Sequence, residues 1–99
     1  MPKIIFEINY NIYPEKRDEY LKAIKEIKKN INGSDNNRYS VFESKKLPNN
    51  FTEIFHCDSE EELDSIDDNQ SDETKELIQS LFEHYIKDSK VVYSTKYEV

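Results

Sequence analysis

The chain has 99 residues, 35% of them hydrophobic, and a formal net charge of −7. That length makes one domain, spanning 1–99, with room for a single two-layer core, and a core this lean gains from covering more apolar surface in an oligomer. The acidic balance excludes nucleic acid and anionic membrane as partners, because both reward clustered Lys and Arg. From Lys3 to Tyr13, Ile4, Phe6, Ile8, Tyr10 and Ile12 take every second place, with Glu7, Asn9 and Asn11 between them. A period of two predicts a strand with one face on a core. Pro14 suits the first turn of a helix, where its missing N–H costs nothing, and Glu15 and Asp18 favour the positive end of the helix dipole. Tyr20, Ile24, Ile27 and Ile31 then recur at helical spacing, with lysines on the remaining face. Gly33, the only glycine, is a natural helix stop.

Ser34 to Asn37 reads as a polar loop, and a second strand is predicted over Arg38–Lys45. Lys46 to Asn50 forms a hairpin connection into a third strand, Phe51–Cys57. Ser59 with Glu62 three places on is a capping box for a second helical region. That region is uneven. Leu63 and Ile66 give a short first piece, Asp67 to Asp72 a polar break, and Leu77, Ile78, Leu81, Phe82, Tyr85 and Ile86 one apolar stripe. A last strand is predicted over Val91–Val99, alternating through Tyr93, Thr95 and Tyr97.

Two strand–helix–strand units joined by a hairpin predict an α+β, ferredoxin-like βαββαβ fold. Right-handed crossovers give an antiparallel sheet in the order 4-1-3-2 with both helices on one face. The other sheet face, carrying Ile5, Glu7, Asn9, Asn11 and Tyr13, then needs water, a ligand or a second copy. Symmetric face-to-face pairing into a dimeric α/β barrel would bury it, and a C2 arrangement is the commonest closed symmetry.

Several chemistries that use this element order are excluded by residue type. The third strand has neither the glycine nor the basic pair of an RNA-reading sheet. One cysteine cannot make a Cys-x-x-Cys metal-transfer site or an iron–sulfur cluster. The glycine-free loop Asn11-Ile12-Tyr13-Pro14 cannot cradle an acyl phosphate. The same lone Cys57 excludes an internal disulfide and predicts a reducing, cytoplasmic location. The N-terminus shows no signal peptide, and no stretch has the length of a membrane span.

The segment from Ile8 to Ala23, with its strand, proline-containing turn, charged helix start and aromatic anchor Tyr20, resembles the opening of antibiotic-biosynthesis-monooxygenase-like domains. The resemblance extends over the whole chain by element order, including the hairpin and the entry Cys57-Asp58-Ser59-Glu60-Glu61-Glu62-Leu63 into the second helix. It implies a homodimer with a pocket between sheet and helices or within the barrel. It also implies cofactor-independent oxygenation of a small aromatic substrate as a possible activity. The haem-degrading branch uses a Trp and a His that this chain lacks at the matching places, and the chain has no Trp at all.

On this reading, Glu7 and His84 are the candidate catalytic bases for deprotonating a phenol, since a general base must lie within hydrogen-bond reach of its proton. Asn9, Asn11, Glu53 and Phe55 are the candidate substrate-binding residues. The resemblance places Glu53, Phe55 and Cys57 on the same open face as Glu7, which would bring Glu7 and Glu53 together as a carboxylate pair. Cys57 reads as a small buried residue, and His56 as a residue of the helix side or edge. No cofactor and no metal are expected, and the expected partners are a second copy of the chain and a small aromatic ligand. The competing reading is a non-enzymatic domain whose open face serves only self-association or partner docking.

Overall fold

A computed structural model describes residues 3–32, 38–64 and 72–99. Strand β1 runs Ile4–Ile12, a 3-10 turn Pro14–Lys16 follows, and helix α1 runs Arg17–Asn32. Strands β2 (Tyr39–Glu43) and β3 (Asn50–Cys57) form the hairpin, and helices α2 (Glu60–Asp64) and α3 (Asp72–Ser80) follow. A π-helical turn, Leu81–Tyr85, leads directly into β4, Ile86–Tyr97. The four strands lie in the order β2-β3-β1-β4, all neighbours antiparallel. This is the ferredoxin-like α+β arrangement with the expected strand order. The helix stop at Gly33, the loop at Ser34–Asn37 and the break from Asp67 to Ser71 lie outside the described residues.

Two differences from the sequence reading have local causes. The last strand begins at Ile86 and not at Val91. The pairing of β1 with β4 slips between Tyr10 and Ile12, and Asp88 takes the left-handed conformation at φ 57°. A bulge of this kind lets one strand carry extra residues past its neighbour, so Ile86 ends up opposite Ile12 and not on the helix stripe. The second strand is shorter than expected because the chain turns after Glu43. Asn49 in that connection is also left-handed, at φ 66°, a conformation that asparagine tolerates better than most residues.

The turn is fastened to the start of α1. The Arg17 guanidinium donates to both carboxylate oxygens of Glu43, at 2.5 and 2.8 Å, and to Asn49 Oδ1 at 3.0 Å. The Asn49 N–H donates to Glu43 Oε2 at 3.0 Å. This fork geometry is the strong form of ion pairing, and with the Asn49 N–H it holds the Glu43 carboxyl down to about 2. At the other end of the hairpin the capping box forms: the Glu62 N–H donates to Ser59 Oγ at 3.1 Å, and Glu62 Oε2 accepts the Asp58 N–H at 3.1 Å.

The core lies between the sheet and α1, α3 and the π turn. Tyr10, Ile12, Tyr20, Ile24, Ile27, Tyr39, Phe51, Phe55, Leu81 and Ile86 are its buried members. Tyr20 packs on Phe51 with ring centroids 4.5 Å apart and meets Tyr10 edge-on at 6.0 Å. Because Ile27 is fully buried and Lys28 exposed, Ile27→Ala is expected to cost about 2–5 kcal/mol in urea denaturation. Lys28→Ala should stay within about 0.5 kcal/mol of wild type at the same protein concentration.

Candidate functional site

The β1–β3 register decides which side chains share a face. Phe6 lies opposite Phe55, Ile8 opposite Glu53 and Tyr10 opposite Phe51. The next strand adds Tyr39 beside Phe55 and Val41 beside Glu53. All of these belong to the helix side of the sheet. Glu53 is therefore a core residue, 6% exposed. Its Oε1 accepts the Tyr39 hydroxyl proton, and the Tyr10 hydroxyl also bonds to its carboxyl group. Tyr10 and Tyr20 hydroxyls are 2.7 Å apart. Either hydroxyl of that pair can be the donor. One buried carboxyl thus sits between Tyr39 of β2 and the Tyr10–Tyr20 pair of β1 and α1.

Burial sets the electrostatics of this cluster. Desolvation disfavours an ionised carboxyl and an ionised phenol alike. It pushes Glu53 above the ordinary carboxyl range, against the pull of the hydrogen bonds from Tyr39 and Tyr10. It pushes Tyr10, Tyr20 and Tyr39 well above the ordinary phenol range, with the Glu53 charge adding to the effect. None of these phenols can serve as an anion near neutral pH. No described side-chain nitrogen or oxygen that is fully buried lacks a hydrogen-bond partner.

The opposite face carries the polar residues of β1. Asn9 Nδ2 donates to Asn50 Oδ1 at 3.0 Å and to Thr52 Oγ1 at 2.9 Å. Asn50 Nδ2 donates back to Asn9 Oδ1 at 3.2 Å and on to Asn11 Oδ1 at 3.1 Å. Glu7 accepts from Lys96 Nζ at 2.9 Å, its side chain 20% exposed. Phe42, Thr52, Asn9 and Val92 form one row across the four strands, with Val92 66% and Phe42 57% exposed.

The structure therefore corrects several placements. Glu53, Phe55 and Cys57 lie on the helix side, and the sheet separates Glu53 from Glu7, so no carboxylate pair forms. Register pairs His56 with Ile5 on the open face, where it is exposed, not on the helix side. His84 sits on the π turn with its side chain 63% exposed, 3.9 Å from the Glu83 carboxylate. It shares no site with Glu7, Asn9 or Asn11. Cys57 is buried, and burial pushes its thiol up. The tyrosine cluster around Glu53 has no counterpart among the candidates read from the sequence. The signal was present: Phe51, Phe55 and Cys57 are the more apolar phase of the third strand, so the residue in phase with them belonged to the core. Among the described residues, no group of three His, Cys, Asp or Glu is placed to hold a metal ion, and no helix is long and apolar enough to cross a membrane.

No family model matches the chain, and no curated protein matches its sequence. Solved structures do. A conserved protein from Methanosarcina mazei superposes with a TM-score of 0.79 at 21% identity, over 100% of this chain and 95% of that one. An antibiotic biosynthesis monooxygenase superposes at 0.66 with 23% identity, over 95% of this chain and 96% of its own. The fold is that of the antibiotic-biosynthesis monooxygenases. A NIPSNAP-like domain protein from Burkholderia xenovorans shares it at a TM-score of 0.68 and 14% identity, over 94% of this chain and 82% of that one. In this chain the space between sheet and helices at Glu53 is occupied by its own tyrosines.

Glu53 and Glu43 shift in opposite directions, and stability should follow both. A raised carboxyl contributes stability that is complete below the ordinary value of about 4.5 and is lost as pH rises through the folded value. The lowered Glu43 carboxyl contributes stability present above 4.5 and lost as pH falls towards about 2. Glu53→Gln is expected to flatten the decline on the alkaline side of pH 4.5 in denaturant titrations, leaving the acid limb unchanged. Glu43→Gln should do the reverse. Glu53→Ala leaves buried hydroxyls without their acceptor and is expected to cost about 2–4 kcal/mol below pH 4.5, and less as pH rises.

Proposed function

We propose that the protein works as a homodimeric α/β barrel in which two open sheet faces pack together and enclose a small aromatic ligand. The observation that carries this reading is the charge of that face. The chain holds 21 acidic and 14 basic residues. Yet the middle of the open face, from Phe42 and Ile54 across to Asn9 and Val92, holds a single acid, Glu7, and that acid is paired with Lys96. Charge depletion with exposed apolar side chains is how interface cores differ from ordinary surface. A face with one acid and one base is also self-complementary about a two-fold axis, which suits two copies of a chain that otherwise repel each other. The buried, unpaired Cys57 supports a reducing compartment and hence the cytoplasm.

The likeness to an antibiotic biosynthesis monooxygenase supports an enzymatic version of the same reading. Glu7 is the residue that fits it. Enclosed by a second copy, its carboxylate would take the proton of a bound phenol, with the Lys96 ammonium beside it to hold the phenolate. Asn9 and Asn11 are engaged in the amide ladder and orient a ligand only through their outward edges. Exposed His84, buried Glu53 and buried Phe55 have no part in it. Self-association without chemistry uses the same face and differs only in having nothing bound inside.

Sedimentation velocity at micromolar concentration is expected to show twice the chain mass of 11.9 kDa. Val92→Asp, which places an unpaired charge on the exposed part of the face, should weaken the dimer by about 100-fold or more while leaving the circular dichroism unchanged. A wild-type chain that sediments as a monomer would overturn the barrel reading.

A further inference from the structure

Strand β4 is the long free edge of the sheet. It runs for 12 residues and pairs with β1 alone, whereas the opposite edge, β2, has 5 residues. An unpaired edge offers a row of N–H and C=O groups to another strand, and proteins blunt such edges with proline, charge or a bulge. Here the bulge and left-handed Asp88 come before the run Val91-Val92-Tyr93-Ser94-Thr95, which holds no charge and no proline. Its β-branched and aromatic residues are those that favour strands. Val92, Tyr93 and Tyr97 are exposed along this edge. The ladder fixes which backbone groups are free. The Glu98 N–H donates to Lys3 O at 2.8 Å. Bonding alternates along an antiparallel pair, so the backbone groups of Val92, Ser94 and Lys96 face β1. Those of Val91, Tyr93, Thr95 and Tyr97 point to the free side.

We propose that β4 of a second copy adds to this edge, antiparallel, about a two-fold axis at Ser94. In that register Lys90 of one copy lies opposite Glu98 of the other, Val91 opposite Tyr97, and Tyr93 opposite Thr95. Each pair shares a sheet face, as the alternation of side chains demands. An axis at Tyr93 would set Lys90 against Lys96, and like charges directly opposite are destabilising. An axis at Val92 would run the ladder into left-handed Asp88, and one at Thr95 would set Glu98 against Val92. The seam uses backbone groups and the helix-side residues Tyr93 and Tyr97, and so goes beyond the contact between open faces. A two-fold axis through Ser94 also carries one open face over the other where the sheet curls, so one dimer can hold both contacts. The seam does not rest on the faces touching.

The test is disulfide capture. Residues directly opposite in a non-hydrogen-bonded pair have Cα atoms about 4.5 Å apart, within the reach of a disulfide. With oxidised glutathione, Ser94→Cys is expected to couple to itself while Lys28→Cys, on the exposed face of α1, stays uncoupled. Val92→Cys and Lys96→Cys should each stay uncoupled alone and couple when mixed. Lys90→Glu and Glu98→Lys should each weaken the dimer about fivefold in sedimentation, and the two together should restore it. Any of three results overturns the seam: Ser94→Cys coupling no faster than Lys28→Cys, Val92→Cys coupling to itself, or no restoration in the double exchange. A dimer that passes these tests but ignores Val92→Asp contradicts the packing of the open faces and leaves the seam. A dimer that Val92→Asp weakens but that fails them does the reverse.

Discussion

The structure depends on the antiparallel register of β1 against β3. Side chains alternate across a strand, so a slip of one residue would exchange every member of the two faces. With Ile8 opposite Glu53, the apolar phase of β1 and the aromatic phase of β3 meet on the helix side. That same choice carries one carboxyl group into the core. The hydroxyls of Tyr39 and Tyr10 make its burial tolerable, and Tyr20 ties them to α1. A slipped register would set this cluster in water and the amides of Asn9 and Asn50 in the core without partners. The polar network and the hydrophobic pattern thus specify one alignment, a role documented for buried polar groups elsewhere.

The same constraint divides the functional possibilities. The helix side is filled: its polar groups are bonded to one another, its phenols stay protonated, and its aromatic rings pack closely. The open side holds residues that are bonded across strands but not covered from above. Whatever the protein binds or joins, these two surfaces offer different chemistry. One is a closed scaffold, and the other is a nearly uncharged platform.

Much of the fold was legible in the chain. The alternation from Ile4 to Ile12, the stripe through Tyr20, Ile24 and Ile27, and the Ser59–Glu62 cap each reflect short-range rules, and each forms as read. Strand order followed from element order and crossover handedness. What was not legible depends on contacts distant in sequence. Glu53 looks like an ordinary surface acid until its phase with Phe51 and Phe55 is weighed against the apolar phase of β1. Tyr10, Tyr20 and Tyr39 look like generic core residues until their hydroxyls converge. The early start of β4 needs the bulge at Asp88, which no local pattern in Ile86–Val91 announces. Arg17 is far in the chain from Glu43 and Asn49 and meets them only because the hairpin turn folds onto the start of α1.

The placement of Glu53 is tested most directly by its own titration. Carboxyl ¹³C shifts followed with pH should show one glutamate, removed by Glu53→Gln, that keeps its proton well above the pH at which the exposed glutamates lose theirs. If the Glu53 signal instead titrates together with the surface carboxyls, the side chain is in water. The register, the tyrosine cluster and the division between the two sheet faces would then all be contradicted.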